Sequence, residues 1–183
     1  MKIINTNIDG LVVIEPTFFE DERGYFMESF KTSWFNENFP DIIFEQENES
    51  KSKKGVLRGL HFQVPPYHQT KLVRVVAGEV LDVAVDLRTN SLTYGLHHSV
   101  ILSGNNKKQF LIPRGFAHGF LVLSESAIFC YKVDNSYSKN HEGGLIWDDP
   151  TLNIDWNISK ELIHVSKKDE LLENFNDFKS PFI

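Results

Sequence analysis

Short apolar or alternating runs recur along the chain, and residues typical of turns separate them. Gly, Pro, Asn, Asp or Ser stands at most of the breaks, with little helical pattern between the runs. Many strands at close spacing predict an all-β sandwich or barrel. The runs are "LVVIEP", "GYFMESF", "IIFEQEN", "GVLRGLHF", "KLVRVVAG", "EVLDVAVDL", "HHSVILSG", "QFLIP", "HGFLVLS" and "AIFCYKV".

Two short helices are predicted beside these strands. "TSWFNENF" has Thr32 or Ser33 as a candidate N-cap, and Pro40 stands beyond its end. "SKKDELLENF" predicts a second helix near the C-terminus. Because no repeat, low-complexity tract or linker interrupts the chain, we expect residues 1–183 to form a single domain.

Composition and charge narrow the class of protein. A net charge of -6 argues against broad binding to nucleic acid or to a membrane surface, so an anionic ligand would need a local cluster of Arg and Lys. A single cysteine, Cys130, excludes an intrachain disulfide and a Cys-rich zinc site. The start, "MKIINTNIDG", lacks the apolar core of a signal peptide, and no run approaches membrane-spanning length. We therefore expect a cytoplasmic protein.

Several polar residues do not fit a plain core. Strand alternation places Gln46 and Asn48 on one face with Phe44, so they lie either on a ligand-facing strand or on an exposed edge strand. Arg58 and His61 would fall on opposite faces of a regular strand. Gly59 between them could mark a bulge that brings both to one site.

The stretch "IPRGFAHGF" carries a more specific pattern. Pro113, Gly115 and His118 have the spacing P-x-G-x-x-H, which resembles the second motif of the cupin barrels, whose histidine usually binds a metal. The first cupin motif normally offers H-x-H and then Glu. Here the corresponding positions hold His61, Gln63 and then Lys71. Glutamine is a poor metal ligand and an ammonium group is repelled by a cation, so we expect no metal.

The residues at these altered positions suit acid–base chemistry without a metal. A fixed ammonium at Lys71 can stand beside a developing oxyanion, which is work that a metal would otherwise do. Histidine titrates near neutral pH, so His61 would be free to move protons. Tyr131 shares a strand face with two apolar residues and is either a candidate acid or a core tyrosine whose hydroxyl has a partner. Asp169 either starts the last helix in the capping-box pattern "SKKD" or orients His61.

Together these residues resemble the dTDP-4-dehydrorhamnose 3,5-epimerases, a family of metal-independent cupins. The similarity covers most of the chain, from about "VIEPTFFEDERGYF" to "SKKDE". Its elements are "DERGYFMES", "FEQENESKSKKGVLRGLHFQ", "KLVRVVAGEVLDVAVDLR", "IPRGFAHGF", "YKVDNSYS" and "EGGLIWDDP". So many ordered matches are highly specific, although any one alone would be weak.

The resemblance implies a fold, a reaction and a set of residues. The fold would be a cupin-type jelly-roll barrel with short flanking helices. The reaction would invert C3 and C5 of dTDP-4-dehydro-6-deoxy-D-glucose to give dTDP-4-dehydro-L-rhamnose, with no cofactor. His61 would be the base, Asp169 its partner, Lys71 the group facing the C4 oxygen, and Tyr131 the acid on the opposite face. Substrate contacts would come from Arg23, Glu28, Gln46, Glu47, Asn48, Arg58, His118, Glu142 and Lys168, with Tyr137 stacking on thymine.

The resemblance also implies a homodimer with strands exchanged between subunits. Three alternatives stay open: an enzyme that inverts one centre or acts on a related 4-keto nucleotide sugar, a metal-dependent cupin, and a non-catalytic sugar-nucleotide binding module. We interpret His68 as a surface residue, and His141 and His164 as solvated or structural. Asp82 either helps to set the charge of Lys71 or faces solvent.

Overall fold

Thirteen short strands build the protein, and the computed structural model describes residues 1–183. The first seven strands are β1 (Lys2–Asn5), β2 (Val12–Glu15), β3 (Phe18–Asp21), β4 (Gly24–Met27), β5 (Gln46–Lys53), β6 (Leu57–Gln63) and β7 (Lys71–Ala77). The other six are β8 (Glu79–Asp86), β9 (His97–Ser103), β10 (Gln109–Ile112), β11 (Phe116–Val122), β12 (Ser126–Val133) and β13 (Glu142–Gly144).

Two antiparallel sheets face each other. One has the strand order β1-β2-β10-β7-β12-β5, and the other has the order β13-β6-β11-β8-β9. A cluster of buried apolar side chains fills the space between them, including Val73 and Phe129 from the first sheet and Ala84 and Phe120 from the second. This double-sheet sandwich confirms the predicted all-β jelly roll. Strands β3 and β4 form a separate hairpin.

Each sheet also buries part of its outer face. One α-helix, α1 (Thr32–Asn38), lays Phe35 on the outer face of the six-stranded sheet. The C-terminal segment covers the five-stranded sheet, where Trp156 and Phe182 pack against residues such as Leu57. Short 3-10 turns lie at Lys139–His141, Lys160–Leu162 and Asp169–Leu171. No helix has the length and apolar character needed to cross a membrane.

The predicted cap of α1 is wrong by one or two residues. The N-cap is Lys31, in extended backbone conformation and without a side-chain hydrogen bond, so Thr32 and Ser33 are already helical. Burial of Phe35, rather than a capping hydroxyl, holds the helix in place. The helix ends at Asn38. Its C-cap is Phe39, whose backbone N–H donates to Phe35 O and which immediately precedes Pro40.

The second predicted helix does not form. Only the 3-10 turn at Asp169–Leu171 is present, and the chain then becomes extended. Glu173 pairs in parallel with Leu145, and its carbonyl accepts the N–H of Ile146 at 2.9 Å. Tertiary pairing with the sheet edge therefore overrides the local helical pattern.

Three strands of the structure, β1, β3 and β13, were not predicted from the sequence. The start of β5 was predicted too early, because the "IIF" of "IIFEQEN" precedes the strand. The other predicted runs all overlap strands of the structure.

Candidate active site

A bulge in β6 brings two side chains of that strand to the same face. His61 pairs with His118 and Arg58 pairs with Phe120. Arg58 and His61 are three positions apart on β6, whereas their partners on β11 are only two positions apart. The extra residue lies at Gly59, whose φ of +131° is a region that favours glycine. The interpretation of Gly59 as a bulge is confirmed, and Arg58 and His61 both face the space between the sheets.

His61 is bonded to a carboxylate from the C-terminal segment. Its Nε2 atom lies 2.7 Å from Oδ1 of Asp169, which is 4% exposed. Burial alone would raise the pKa of Asp169, but the hydrogen bond and charge of His61 outweigh it and hold that pKa below its ordinary value. An ionised Asp169 accepts the Nε2 proton, so the lone pair of His61 is on Nδ1.

The capping interpretation of Asp169 is also partly correct. Its backbone N–H donates to Oγ of Ser166 at 3.1 Å, as in the first half of a capping box. The two interpretations are compatible because the backbone of Asp169 makes the turn while its side chain reaches His61.

A second buried pair lies beneath the first. Nε2 of His118 is 2.9 and 3.1 Å from the two carboxylate oxygens of Asp82, and Asp82 is fully buried. Burial raises the pKa of Asp82 and lowers that of His118, because it disfavours both charged forms. Asp82 therefore does not face solvent, and the alternative that placed it on the outer side of its strand is wrong.

Lys71 has its amine in the same buried region. Burial lowers the pKa of Lys71 to about 8, against the opposing attraction of Asp82 and Glu142. The amine is therefore still mostly protonated at neutral pH. Asp82 does help to set the charge of Lys71, as one of the two sequence interpretations held.

Tyr131 reaches the site from the other sheet. It pairs with Asn48 on β5 and with Val73 on β7, and paired residues share a face, so all three point between the sheets. Burial raises the pKa of Tyr131, with Arg58 opposing, which keeps the phenol protonated. Gln46 lies on the same face, and its Nε2 donates to Oδ1 of Asn48 at 2.7 Å. β5 is an edge strand, as one sequence interpretation held. Its two amides face the space between the sheets but do not line the cleft, and their contact with a ligand stays a prediction.

The side chains of His61, Lys71, Tyr131 and Asp169 line one cleft of about 520 Å³. Its polar wall contains the four residues expected to carry the chemistry and Arg58, His118 and Lys168. Phe120 and Phe129, stacked at 4.1 Å, form part of its apolar wall. The lining residues are Glu49, Ser50, Val56, Leu57, Arg58, His61, Lys71, His118, Phe120, Phe129, Tyr131, His164, Val165, Ser166, Lys168 and Asp169.

A chain of polar contacts extends from Lys168. Its Nζ lies 2.6 Å from Oε2 of Glu142, and the hydroxyl of Tyr137 donates to the same oxygen at 3.0 Å. Burial opposes ionisation of Glu142, but the bonds from Lys168 and Tyr137 outweigh it and lower its pKa. The ring of Tyr137 is 59% exposed and available to a ligand.

Of the ten residues that the resemblance assigned to substrate contacts, only Arg58, His118 and Lys168 line the cleft of their own chain. Gln46 and Asn48 face the space between the sheets, Glu142 and Tyr137 are joined to the cleft wall through Lys168, and the other three lie away from it. Arg23 is at the tip of the β3–β4 hairpin and is paired with Asp21. Glu28 is 3.4 Å from Lys31. Glu47 points to the opposite face of β5 from Asn48, where it meets Lys132.

Sequence reasoning missed part of the cleft. His164 is exposed and its backbone bridges to Val56, as the interpretation as solvated or structural held, but its place in the cleft wall beside Ser166 was not foreseen. The two stacked phenylalanines also line the cleft. Alternation alone could have placed Phe120 two residues beyond His118 on the same face. His68 is partly buried rather than on the surface, and His141 is structural, bonded to Ser138.

The positions that correspond to metal ligands in other cupins are used differently. The Nε2 atom of His61 binds Asp169, and both polar atoms of the Gln63 amide bind backbone groups. Nowhere do three or more His, Cys, Asp or Glu side chains gather as a set of metal ligands.

Fold and site together define a cupin barrel with paired acid–base groups and a buried ammonium in its cleft. The sequence model of the dTDP-4-dehydrorhamnose 3,5-epimerases matches residues 5–177. The chain belongs to this family.

Known proteins of this family are similar to the chain along nearly its whole length. The chain is 51% identical to a dTDP-4-dehydrorhamnose 3,5-epimerase of Shigella flexneri, over 97% of each chain. It is 51% identical to one of Methanothermobacter thermautotrophicus, over 92% of this chain and 91% of the relative. A crystal structure of the 3,5-epimerase of Legionella pneumophila in complex with dTDP-4-keto-L-rhamnose is 49% identical. It superposes with a TM-score of 0.93, over 97% of this chain and 94% of the other.

Proposed function

We propose that this protein is an epimerase that inverts C3 and C5 of dTDP-4-dehydro-6-deoxy-D-glucose to give dTDP-4-dehydro-L-rhamnose. The observation that carries the proposal is the arrangement in one cleft of a histidine–aspartate pair, a protonated phenol on the facing sheet and a buried ammonium. Family membership supplies the nucleotide sugar.

His61 removes the proton. The carbon next to the C4 ketone releases its hydrogen as a proton, and Nδ1 of His61 accepts it while Nε2 stays bonded to Asp169. The electron pair of the C–H bond moves to the C4 oxygen and gives an enolate. Asp169 stabilises the imidazolium that forms and fixes the ring orientation. A positioned base of this kind contributes about 10²–10⁴-fold to the rate.

Lys71 carries the charge of the intermediate. Its ammonium donates to the enolate oxygen, and the low polarity of the buried site strengthens that interaction. One such donor contributes about 10²–10³-fold. Asp82 and Glu142 oppose the effect of burial and favour the protonated amine.

Tyr131 completes the inversion. Its phenol gives a proton to the face of the carbon opposite to His61, and the double bond returns to the ketone. Solvent then restores the proton of Tyr131 and removes the one held by His61. The same sequence at the second carbon inverts the other centre.

The nucleotide diphosphate positions the sugar through remote contacts. Arg58 and Lys168, both in the cleft wall, supply positive charge for phosphate, and Arg58 is braced by Ser52, whose Oγ accepts its Nε–H at 3.1 Å. Tyr137 offers its exposed ring to the base.

The functional unit of this proposal is a homodimer. The β3–β4 hairpin exposes the paired rings of Phe19 and Phe26, at 67% and 69%, and it belongs to neither large sheet. Such a surface is suited to burial against a second copy. Arg23 and Glu28, remote from their own cleft, would then contact substrate bound to the partner.

One experiment tests the function directly. The protein is incubated with dTDP-4-dehydro-6-deoxy-D-glucose in deuterium oxide and the sugar is followed by NMR. Deuterium at both C3 and C5 is expected. Label at one carbon only would make the protein a single-centre epimerase, and no label would favour a binding module.

A further inference from the structure

We infer that Gln63 is a positioning residue that fixes the base-binding ring of Tyr137. The inference rests on the proposed function, because that function gives Tyr137 its role. Gln63 is the last residue of β6, two residues beyond His61, and only 6% exposed. Its side chain makes no hydrogen bond to any of the four residues proposed to carry the reaction.

The side-chain amide of Gln63 is fully used, and every bond goes to loop backbone. Its Nε2 donates to Tyr67 O at 2.7 Å and to Ser136 O at 3.1 Å. Its Oε1 accepts the N–H of Ser138 at 2.6 Å. Ser136 and Ser138 are the residues on either side of Tyr137, so one buried amide grips the backbone on both sides of that ring.

No other side chain in the structure holds both neighbours of Tyr137. Ser138 also bonds to His141 through its hydroxyl, at 2.8 Å. That contact stays within the segment that carries Tyr137 and does not tie it to the barrel. The hydroxyl of Tyr137 reaches Glu142 at 3.0 Å, which fixes only the hydroxyl end of a ring that is 59% exposed. Asn135 also holds one neighbour, since its Oδ1 accepts the N–H of Ser136 at 2.9 Å, but Gln63 alone bonds to both. Orientation of the ring therefore depends on a backbone that Gln63 fixes on both sides.

The placement of Gln63 links two ends of the cleft. His61 and Gln63 leave the same strand on the same face, so the base that acts on the sugar and the ring that holds the nucleobase share one rigid support. When the nucleobase is bound by Tyr137, the sugar is thereby held at a fixed distance from His61. Loss of the amide should weaken nucleotide binding and leave proton abstraction intact.

The test is a double-mutant cycle on binding of dTDP, measured by calorimetry. Gln63→Met keeps the length and removes the hydrogen bonds. We expect dTDP affinity to fall about tenfold, because a misoriented Tyr137 ring would lose part of its stacking energy with the base. The value of kcat should change by less than about twofold. In a Tyr137→Ala background, the same substitution should cost almost nothing further.

The matched control is Gln69→Met. Gln69 lies in the neighbouring loop, and its Nε2 donates to a single carbonyl, that of Asn135, at 2.7 Å. It does not touch either neighbour of Tyr137. If Gln69→Met weakens dTDP as much as Gln63→Met, or if the effects of Gln63→Met and Tyr137→Ala simply add, the inference is overturned.

A ligand-free readout separates this inference from the function. Amide exchange of Ser138 should accelerate in Gln63→Met, because its acceptor is gone, while amides of β11 keep their protection. Unchanged exchange at Ser138 overturns the inference even if the wild-type protein epimerises its substrate. A wild-type protein that fails in the deuterium experiment removes the proposed function, whatever Ser138 shows. If Gln63→Met does not fold, the isosteric Gln63→Glu takes its place in the dTDP-binding cycle. When ionised, Glu cannot donate to Tyr67 or Ser136 but still accepts the N–H of Ser138, so for this variant an unchanged dTDP affinity overturns the inference.

Discussion

The Nε2 atom of His61 lies 2.7 Å from Oδ1 of Asp169, a residue 108 positions further along the chain. One partner is fixed by a bulged strand and the other by a tight turn of the C-terminal segment. The pair therefore exists only when both ends of the fold are in place.

Removal of the imidazole should abolish proton exchange and spare binding. We expect His61→Asn to reduce deuterium incorporation at C3 and C5 by about 10²–10⁴-fold or more, because the only base on that face is lost. Affinity for dTDP, measured by calorimetry, should stay near that of the wild type. His97→Asn on β9, outside the cleft, is the control and should exchange normally. Rapid exchange in His61→Asn would show that another group is the base.

Tyr131→Phe should separate exchange from inversion. The base can still remove and return a proton on its own face, so deuterium should enter at C3 faster than epimerised product appears. NMR measures both in one sample. Equal loss of exchange and product would remove Tyr131 from the role of acid.

The pH profile should report the ammonium of Lys71. Its pKa is lowered to about 8, so we expect kcat to fall as the pH rises through that value and the amine loses its proton. Asp82 raises this pKa, and Asp82→Asn should therefore move the alkaline decline to lower pH. Rate profiles of the two proteins over roughly pH 6.5 to 9.5 check this. An unmoved decline in Asp82→Asn would mean that another group titrates.

Stability should change with pH in the opposite direction. The unfolded chain keeps this amine protonated up to its ordinary pKa of 10.5, whereas the folded chain releases the proton at about 8. Between these values the unfolded state binds more protons, so the contribution of Lys71 to the free energy of unfolding rises with pH. Lys71→Met should remove that slope, as measured by urea unfolding at several pH values.

Gly59→Ala should destabilise the barrel and distort the site. A Cβ at Gly59 would collide with Cα of Gly119 and lie 2.8 Å from His118 O, and the positive φ adds strain. Strain of roughly 1–3 kcal/mol and overpacking of about 1–3 kcal/mol predict a clear loss of unfolding free energy. Gly24→Ala is the control, since its φ is +124° but nothing lies within 4 Å. Equal losses in the two variants would show that the close approach of β11 has no cost.

Two inactive variants should complement each other if the hairpin acts across a dimer. His61→Asn destroys the base of its own cleft, and Arg23→Ala would impair the cleft of its partner. A mixed dimer then has one cleft with both defects and one intact. We expect activity to reappear when the two variants are unfolded together and refolded, and light scattering should show dimers. No recovery would place Arg23 in its own cleft.

The sequence predicted much of the site but not its spatial relations. Alternation and the glycine at position 59 were enough to bring Arg58 to the side of His61, because those are local properties of one strand. The bond between His61 and Asp169 could not be derived from spacing, since it depends on how the C-terminal segment crosses the sheet. The resemblance, not local pattern, supplied that pair.

The failures have a common physical origin. The helix expected after Asp169 was lost to a parallel bridge with Leu145, a long-range contact that no local window contains. The place of His164 in the cleft wall also depends on a long-range contact, because a parallel bridge with Val56 holds it there. Glu47 and Asn48 are neighbours in sequence but lie on opposite faces of the edge strand β5, so only Asn48 points between the sheets.

The bulge at Gly59 has a counterpart on the outer side of β6. Leu57 and Leu60 both belong to the cluster under the C-terminal segment, while Arg58 and His61 both belong to the cleft. From position 57 to position 61, side chains three positions apart therefore lie on the same side of the strand, two on the outer side and two on the inner side. The irregularity that places Arg58 and His61 in the cleft therefore also seats the segment that carries Asp169, so a straightened β6 would lose both halves of the His61–Asp169 contact.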